Sequence, residues 1–113
     1  MTSTSVSAND PIRIGVIVLT VGTALIHLYL GLQGFPLFIL NCLGYLTLLA
    51  ALTLPIPRLS EYRNLTRWVL AGYTALTIFL WILVGARNAI GYTDKIIELA
   101  LLALLLLEAH RAR

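Results

Sequence analysis

Four apolar stretches, residues 14–32, 35–54, 68–84 and 89–107, fill nearly all of the chain and are parted by short polar turns. Apolar residues run continuously within them and Leu and Ala are abundant, whereas barrel strands alternate apolar and polar over about 10 residues. A hydrocarbon layer about 30 Å thick takes roughly 20 helical residues, and each stretch is close to that length. Lipid offers no water to backbone groups, so each stretch must close its own hydrogen bonds as a helix. The pattern predicts an all-α, integral membrane bundle of four transmembrane helices, near residues 12–32, 35–54, 66–86 and 90–110, forming one domain over 1–113.

Local signals punctuate this pattern. Asn9-Asp10-Pro11 is a helix start, an acidic cap followed by Pro in the first turn. Gln33-Gly34 reads as a tight turn, Pro36 as a first-turn residue, and Pro55-Ile56-Pro57 as an abrupt stop. Residues 58–67 (RLSEYRNLTR) form the main connecting loop, with Asn64 as a cap for the third helix. The fourth helix starts near Ala89 or is capped by Thr93. Trp68 and Trp81 lie near the ends of the third helix, where indole rings favour membrane interfaces. Gly44, Thr47 and Ala51, then Ala71 and Ala75, then Ala100 and Ala103 mark close packing faces, while Leu101 to Leu107 should face lipid or another subunit.

Composition supports the same solvent. Of 113 residues, 59% are hydrophobic and 12% charged, too little polar surface to cover a soluble domain of this size. The net charge of +3 sits at helix ends rather than on one soluble face, so nucleic acid is not an expected partner. With four spans, Arg13, Arg58, Arg63, Arg67, Arg111 and Arg113 share one side, against Arg87 and Lys95 on the other. The excess of basic residues places both termini in the cytoplasm of a bacterial inner-membrane protein. No Lys or Arg precedes Arg13, so the first stretch reads as a retained span rather than a cleaved signal. Cys42 is the single cysteine and sits inside an apolar stretch, where it serves as a small buried hydrophobe.

The few polar residues inside the spans are the candidates for function. At 1.5 Å per residue, His27 lies roughly 8 Å below the outer end of its helix, Asn41 roughly 9 Å, and Glu98 roughly 8–15 Å. Asp94, Lys95 and Arg87 sit just above them. Ionisable groups at such depth are costly and turn toward the bundle interior or a partner. Lys95 can be shared by Glu98 and Asp94 with Arg87 nearby, either as an ion-pair lock on the fourth helix or as a proton or ligand site. His27 can bond Asn41, Glu98 or a backbone carbonyl, serve as a single axial ligand to haem iron, or hydrogen-bond a quinone or chlorin headgroup. His110, the other histidine, lies about a membrane thickness away, which excludes an intrachain bis-histidine haem site. No Gly-rich phosphate loop, Cys pair, HExxH or serine-nucleophile motif is present, and no catalytic residue is assigned.

In size and span count the chain is similar to the small multidrug resistance transporters, whose coupling acid lies in the first helix. Here that helix has no acid between residues 14 and 32, and Glu98 is in the last. The segments ALIHLYLGLQGFPLFILNCLGYL (residues 24–46) and GYTDKIIELALLALLLLE (91–108) resemble small four-helix bacterial membrane proteins, some of them accessory subunits of respiratory or photosynthetic electron-transfer complexes. That resemblance implies a non-catalytic subunit of a larger membrane complex, such as alternative complex III or a photosynthetic assembly. Its partners would be membrane lipids and the other subunits; it would carry no intrinsic cofactor or metal, though bound lipid or quinone is compatible. The competing expectations are a small homodimeric proton-coupled transporter using Glu98 and a cofactor- or quinone-binding anchor using His27.

Overall fold

A computed structural model describes residues 10–85 and 87–111. The described residues are helical and contain no strand: α1 (Pro11–Leu32), α2 (Pro36–Thr53), the single turn α3 (Pro57–Ser60), α4 (Arg63–Val84) and α5 (Ala89–Arg111). α1, α2 and α4 are each long and apolar enough to cross a membrane, with mean hydropathies of 2.0, 1.8 and 1.6. α5 has the length, at 23 residues, but Asp94, Lys95, Glu98 and Glu108 along it make it less apolar than the other three.

The helix ends follow from the punctuation. Asp10 caps α1, its carboxylate accepting from the Ile12 amide at 2.8 Å, with Pro11 leading the first turn. Gly34 adopts φ +114, a left-handed conformation that a side chain would oppose, and this turns the chain from α1 into α2. Leu54 is extended after α2, and the Pro-rich step leads into α3, a turn that the loop pattern did not announce. α4 starts at Arg63, about a turn before the expected position. Asn64 is therefore inside its first turn and accepts from Arg67 Nη1 at 3.1 Å rather than capping the helix. Asn88 takes the capping part at α5 that Thr93 was a candidate for, its side chain accepting from the Gly91 amide at 2.8 Å.

α1 packs on α2 and α5, and α4 packs on α5 and α2, so the long helices form a ring in the order α1, α2, α4, α5. Val16, Ala24, Tyr45, Leu52, Leu70 and Leu101 meet at its centre. Leu101 and Leu105 are fully buried, so the leucine run of α5 supplies core as well as flank. Of the small residues, Ala71 is buried and Gly44 faces a neighbour, whereas Thr47, Ala75, Ala100 and Ala103 point outward. Thr20 and Thr74, both fully buried, return their hydroxyls to the carbonyls of Val16 and Leu70 one turn back.

Gly44 gives a test of this packing. A β-carbon there would meet the Tyr73 hydroxyl and ring, and that hydroxyl donates to the Asn41 carbonyl at 2.9 Å between α4 and α2. We expect Gly44→Ala to cost about 1–3 kcal/mol in unfolding measured in mild detergent. Gly72→Ala, whose β-carbon meets nothing, should leave stability unchanged or raise it.

Candidate functional site: a buried polar core

Three helices bring polar side chains to the end of the bundle where α1 turns into α2. α1 contributes Thr23 and His27, one helical turn apart on one face; α2 contributes Tyr45; α5 contributes Asp94, Lys95 and Glu98. Thr23, Tyr45 and Glu98 are fully buried, and His27, Asp94 and Lys95 nearly so. Lys95 Nζ lies 2.5 Å from Glu98 Oε1 and 3.1 Å from Asp94 Oδ2, so it is shared by the two acids as its spacing suggested. Tyr45 donates its hydroxyl to Glu98 Oε2 at 2.9 Å. The Thr23 hydroxyl lies 2.5 Å from Asp94 Oδ1 and 3.0 Å from Glu98 Oε2, and its single proton serves one of them at a time.

His27 joins α1 to the acids of α5. Its Nδ1–H donates to the Thr23 carbonyl at 2.8 Å, which turns Nε2 toward Asp94 Oδ2 at 3.6 Å. Against the two carboxylates the core sets the Lys95 ammonium, in an interior where unpaired charge is costly. Donor atoms of His27, Asp94 and Glu98 all lie within 4.8 Å of one another, close enough to ligate one cation. The Lys95 ammonium already meets both carboxylates there, so a metal ion would have to displace it.

Two residues expected here lie elsewhere. Asn41 faces α4, its amide donating to Thr77 Oγ1 at 3.5 Å and its buried Oδ1 lacking a hydrogen-bond partner. Arg87 is exposed on the link before α5, where it donates to the Ile82 carbonyl at 2.6 Å and stacks 4.1 Å over the Trp81 ring. Conversely, Thr23 and Tyr45 were not singled out from the sequence. Thr23 carried a usable signal, since it sits four residues before His27; Tyr45 carried none that separates it from an interfacial tyrosine.

A second buried polar group ties the opposite end. Glu108 on α5 accepts from Arg13 Nε at 3.0 Å and Nη2 at 3.1 Å, and from Arg67 Nε at 2.8 Å. Arg13 also reaches the Leu52 carbonyl at 3.3 Å, so α1, α2, α4 and α5 all meet there. Arg13 and Arg67, which the basic-residue count assigned to the cytoplasmic side, are buried. Nearby, the Ile12 amide, and after it the Arg111 guanidinium at 2.9 Å, hold the Asp10 carboxyl below its ordinary value. What Asp10 adds to stability is therefore present at neutral pH and lost as pH falls through that lowered value.

Between α1 and α5 runs an open groove of about 380 Å³ lined by Leu25, Ile26, Tyr29, Ala89, Ile90 and Thr93. Its walls are apolar apart from the Tyr29 and Thr93 hydroxyls. Comparison with protein-family models, with curated proteins and with solved structures found no match for this chain.

Proposed function

We propose that the chain crosses a bacterial inner membrane four times with both termini cytoplasmic, and serves as a non-catalytic accessory subunit of a larger membrane complex. An electron-transfer complex, such as alternative complex III or a photosynthetic assembly, is the context its resemblance implies. The observation that carries this reading is the inward closure of charge. In α5, Asp94, Lys95, Glu98 and Glu108 are all buried in ion pairs, which leaves Ile96, Leu99, Leu106 and Leu107 on the outside. A 23-residue helix with that apolar exterior is about 34 Å long and suits lipid as a fourth span. Neither ionic group presents a reactive atom to a substrate, while long apolar flanks remain for lipid and neighbouring subunits. A bound lipid tail or quinone would lie outside the polar core, as along the groove beside Tyr29.

Gentle solubilisation followed by native gel separation should show the chain travelling with a larger assembly. Recovery solely as a free monomer or homodimer overturns the reading. Orientation is tested separately, in a Cys42→Ala background. In right-side-out spheroplasts, an impermeant maleimide should label Arg87→Cys and spare Arg58→Cys; the reverse pattern inverts the topology.

One observation favours a second reading, a small proton-coupled transporter. His27 Nε2 faces Asp94 Oδ2 at 3.6 Å, and Asp94 is joined through the Thr23 hydroxyl to Glu98, a chain of groups able to carry a proton. That reading expects proton-driven transport in liposomes to vanish in Glu98→Gln, and unchanged transport removes Glu98 from it. A haem or chlorin ligand role for His27 is less favoured, because both ring nitrogens face protein oxygens.

A further inference from the structure

We propose that the end of the bundle formed by Arg13, Arg63 and Arg67 is a binding site for a phosphate group, carried by an anionic lipid headgroup or by a free phosphate ion. The argument begins with charge. Arg13 and Arg67 share one carboxylate, Glu108, and Arg63 lies within electrostatic reach of all three. Three guanidiniums at this end are thus set against one acid, which only Arg13 and Arg67 touch. Arg63 Nη2 donates to neutral acceptors, the Leu54 carbonyl at 2.6 Å and Ser60 Oγ at 3.2 Å, and gains no counter-charge from them. Asp10 is engaged by Arg111. Glu61 is exposed and enters none of the ion pairs among the described residues.

The second observation is independent of the count. Arg67 is fully buried, and its Nη2 has no hydrogen-bond partner; the same holds for the buried Nε of Arg63. A charged donor left unpaired away from water is costly, and more so than a neutral one. Nη1 of the same guanidinium donates at 3.1 Å to the exposed Asn64 in the first turn of α4, so the unpaired donor belongs to a group that lies at the end of that helix. A phosphate offers several charged oxygens to guanidinium forks, which it accepts in bidentate fashion. Entry is beside Arg63, half-buried at the start of α4 next to the exposed turn α3. Basic pockets between membrane helices on the cytoplasmic side take anionic headgroups by this chemistry. The four-span reading above supplies only the leaflet from which a lipid would come.

The test uses the purified full chain, so a failed topology would leave its result untouched. In one arm, protein is extracted from vesicles of phosphatidylcholine with and without phosphatidylglycerol, and retained lipid is read by native mass spectrometry. In the other, lipid-free protein in neutral detergent is titrated with inorganic phosphate against chloride by calorimetry. Retention of phosphatidylglycerol about fivefold over phosphatidylcholine supports the site and names a headgroup as its ligand. Saturable phosphate binding without lipid preference supports it and names the free ion. Arg63→Gln should abolish whichever signal is seen, and Arg111→Gln, with its charge engaged by Asp10, should keep it. Neither signal in the unmodified chain, or a signal that survives in folded Arg63→Gln, overturns the proposal. Should Arg63→Gln lose helix content by circular dichroism, the two arms on the unmodified chain still decide it.

Discussion

Lys95→Met is expected to destabilise the bundle by about 3–5 kcal/mol, the usual cost of stripping one partner from a buried charge network. Lys95 is the ammonium that faces both Asp94 and Glu98, and each acid is at most 3% exposed. Without it, two carboxylates lie in the interior with no ammonium beside them, and their repulsion has no outlet to water. Thermal unfolding in mild detergent, followed by circular dichroism, measures the loss. Neutralising the acids as well, in Lys95→Met combined with Asp94→Asn and Glu98→Gln, should restore most of it. A single variant that melts with the parent would mean that the carboxylates are not both charged, and the charge balance assigned to the core would fail with it.

The second large effect belongs to the opposite end. Glu108→Gln should cost a similar amount, about 3–5 kcal/mol, because Arg13 and Arg67 would lose the carboxylate that both grip. The substitution keeps the shape of the side chain, so the loss reports charge rather than volume. Glu61→Gln, on an exposed loop, serves as the comparison and should stay within about 0.5 kcal/mol of the parent. Equal stability of the two variants would show that the guanidiniums find other acceptors, such as the Leu52 carbonyl already within reach of Arg13. Should anionic lipid occupy the arginines, it should also soften the Glu108→Gln defect, which couples this measurement to the lipid-retention test.

The polar core was legible in part. Glu98 follows Lys95 by three residues and Asp94 by four, so its place beside both follows from helical spacing, whereas the contact of the adjacent Asp94 and Lys95 does not. His27 was visible as an ionisable group too deep to face lipid. Its partner was not, because a side chain inside α1 could turn to either adjoining helix, and the structure turns it to Asp94 rather than to Asn41. Glu108 escaped notice because it sits near a helix end, three residues before Arg111, where an acid ordinarily meets water. Arg13 is 95 residues away from it in the chain, and no local spacing links them.

The sequence by itself determined the long helices, their approximate ends and, for α1, α2 and α4, the length and apolar composition a membrane crossing needs, since each rests on interactions within a few residues or on composition. Asp10, Gly34 and Pro36 act where they stand, whatever the rest of the chain does. Tertiary structure decided which face of each helix turns inward. A helix that is apolar all round, as α2 nearly is, carries no stripe to fix its rotation, and lipid supplies no hydrophobic penalty for a wrong one. Rotation was set instead by the contacts between helices: Tyr73 against Gly44, Tyr45 on Glu98, and two arginines on Glu108.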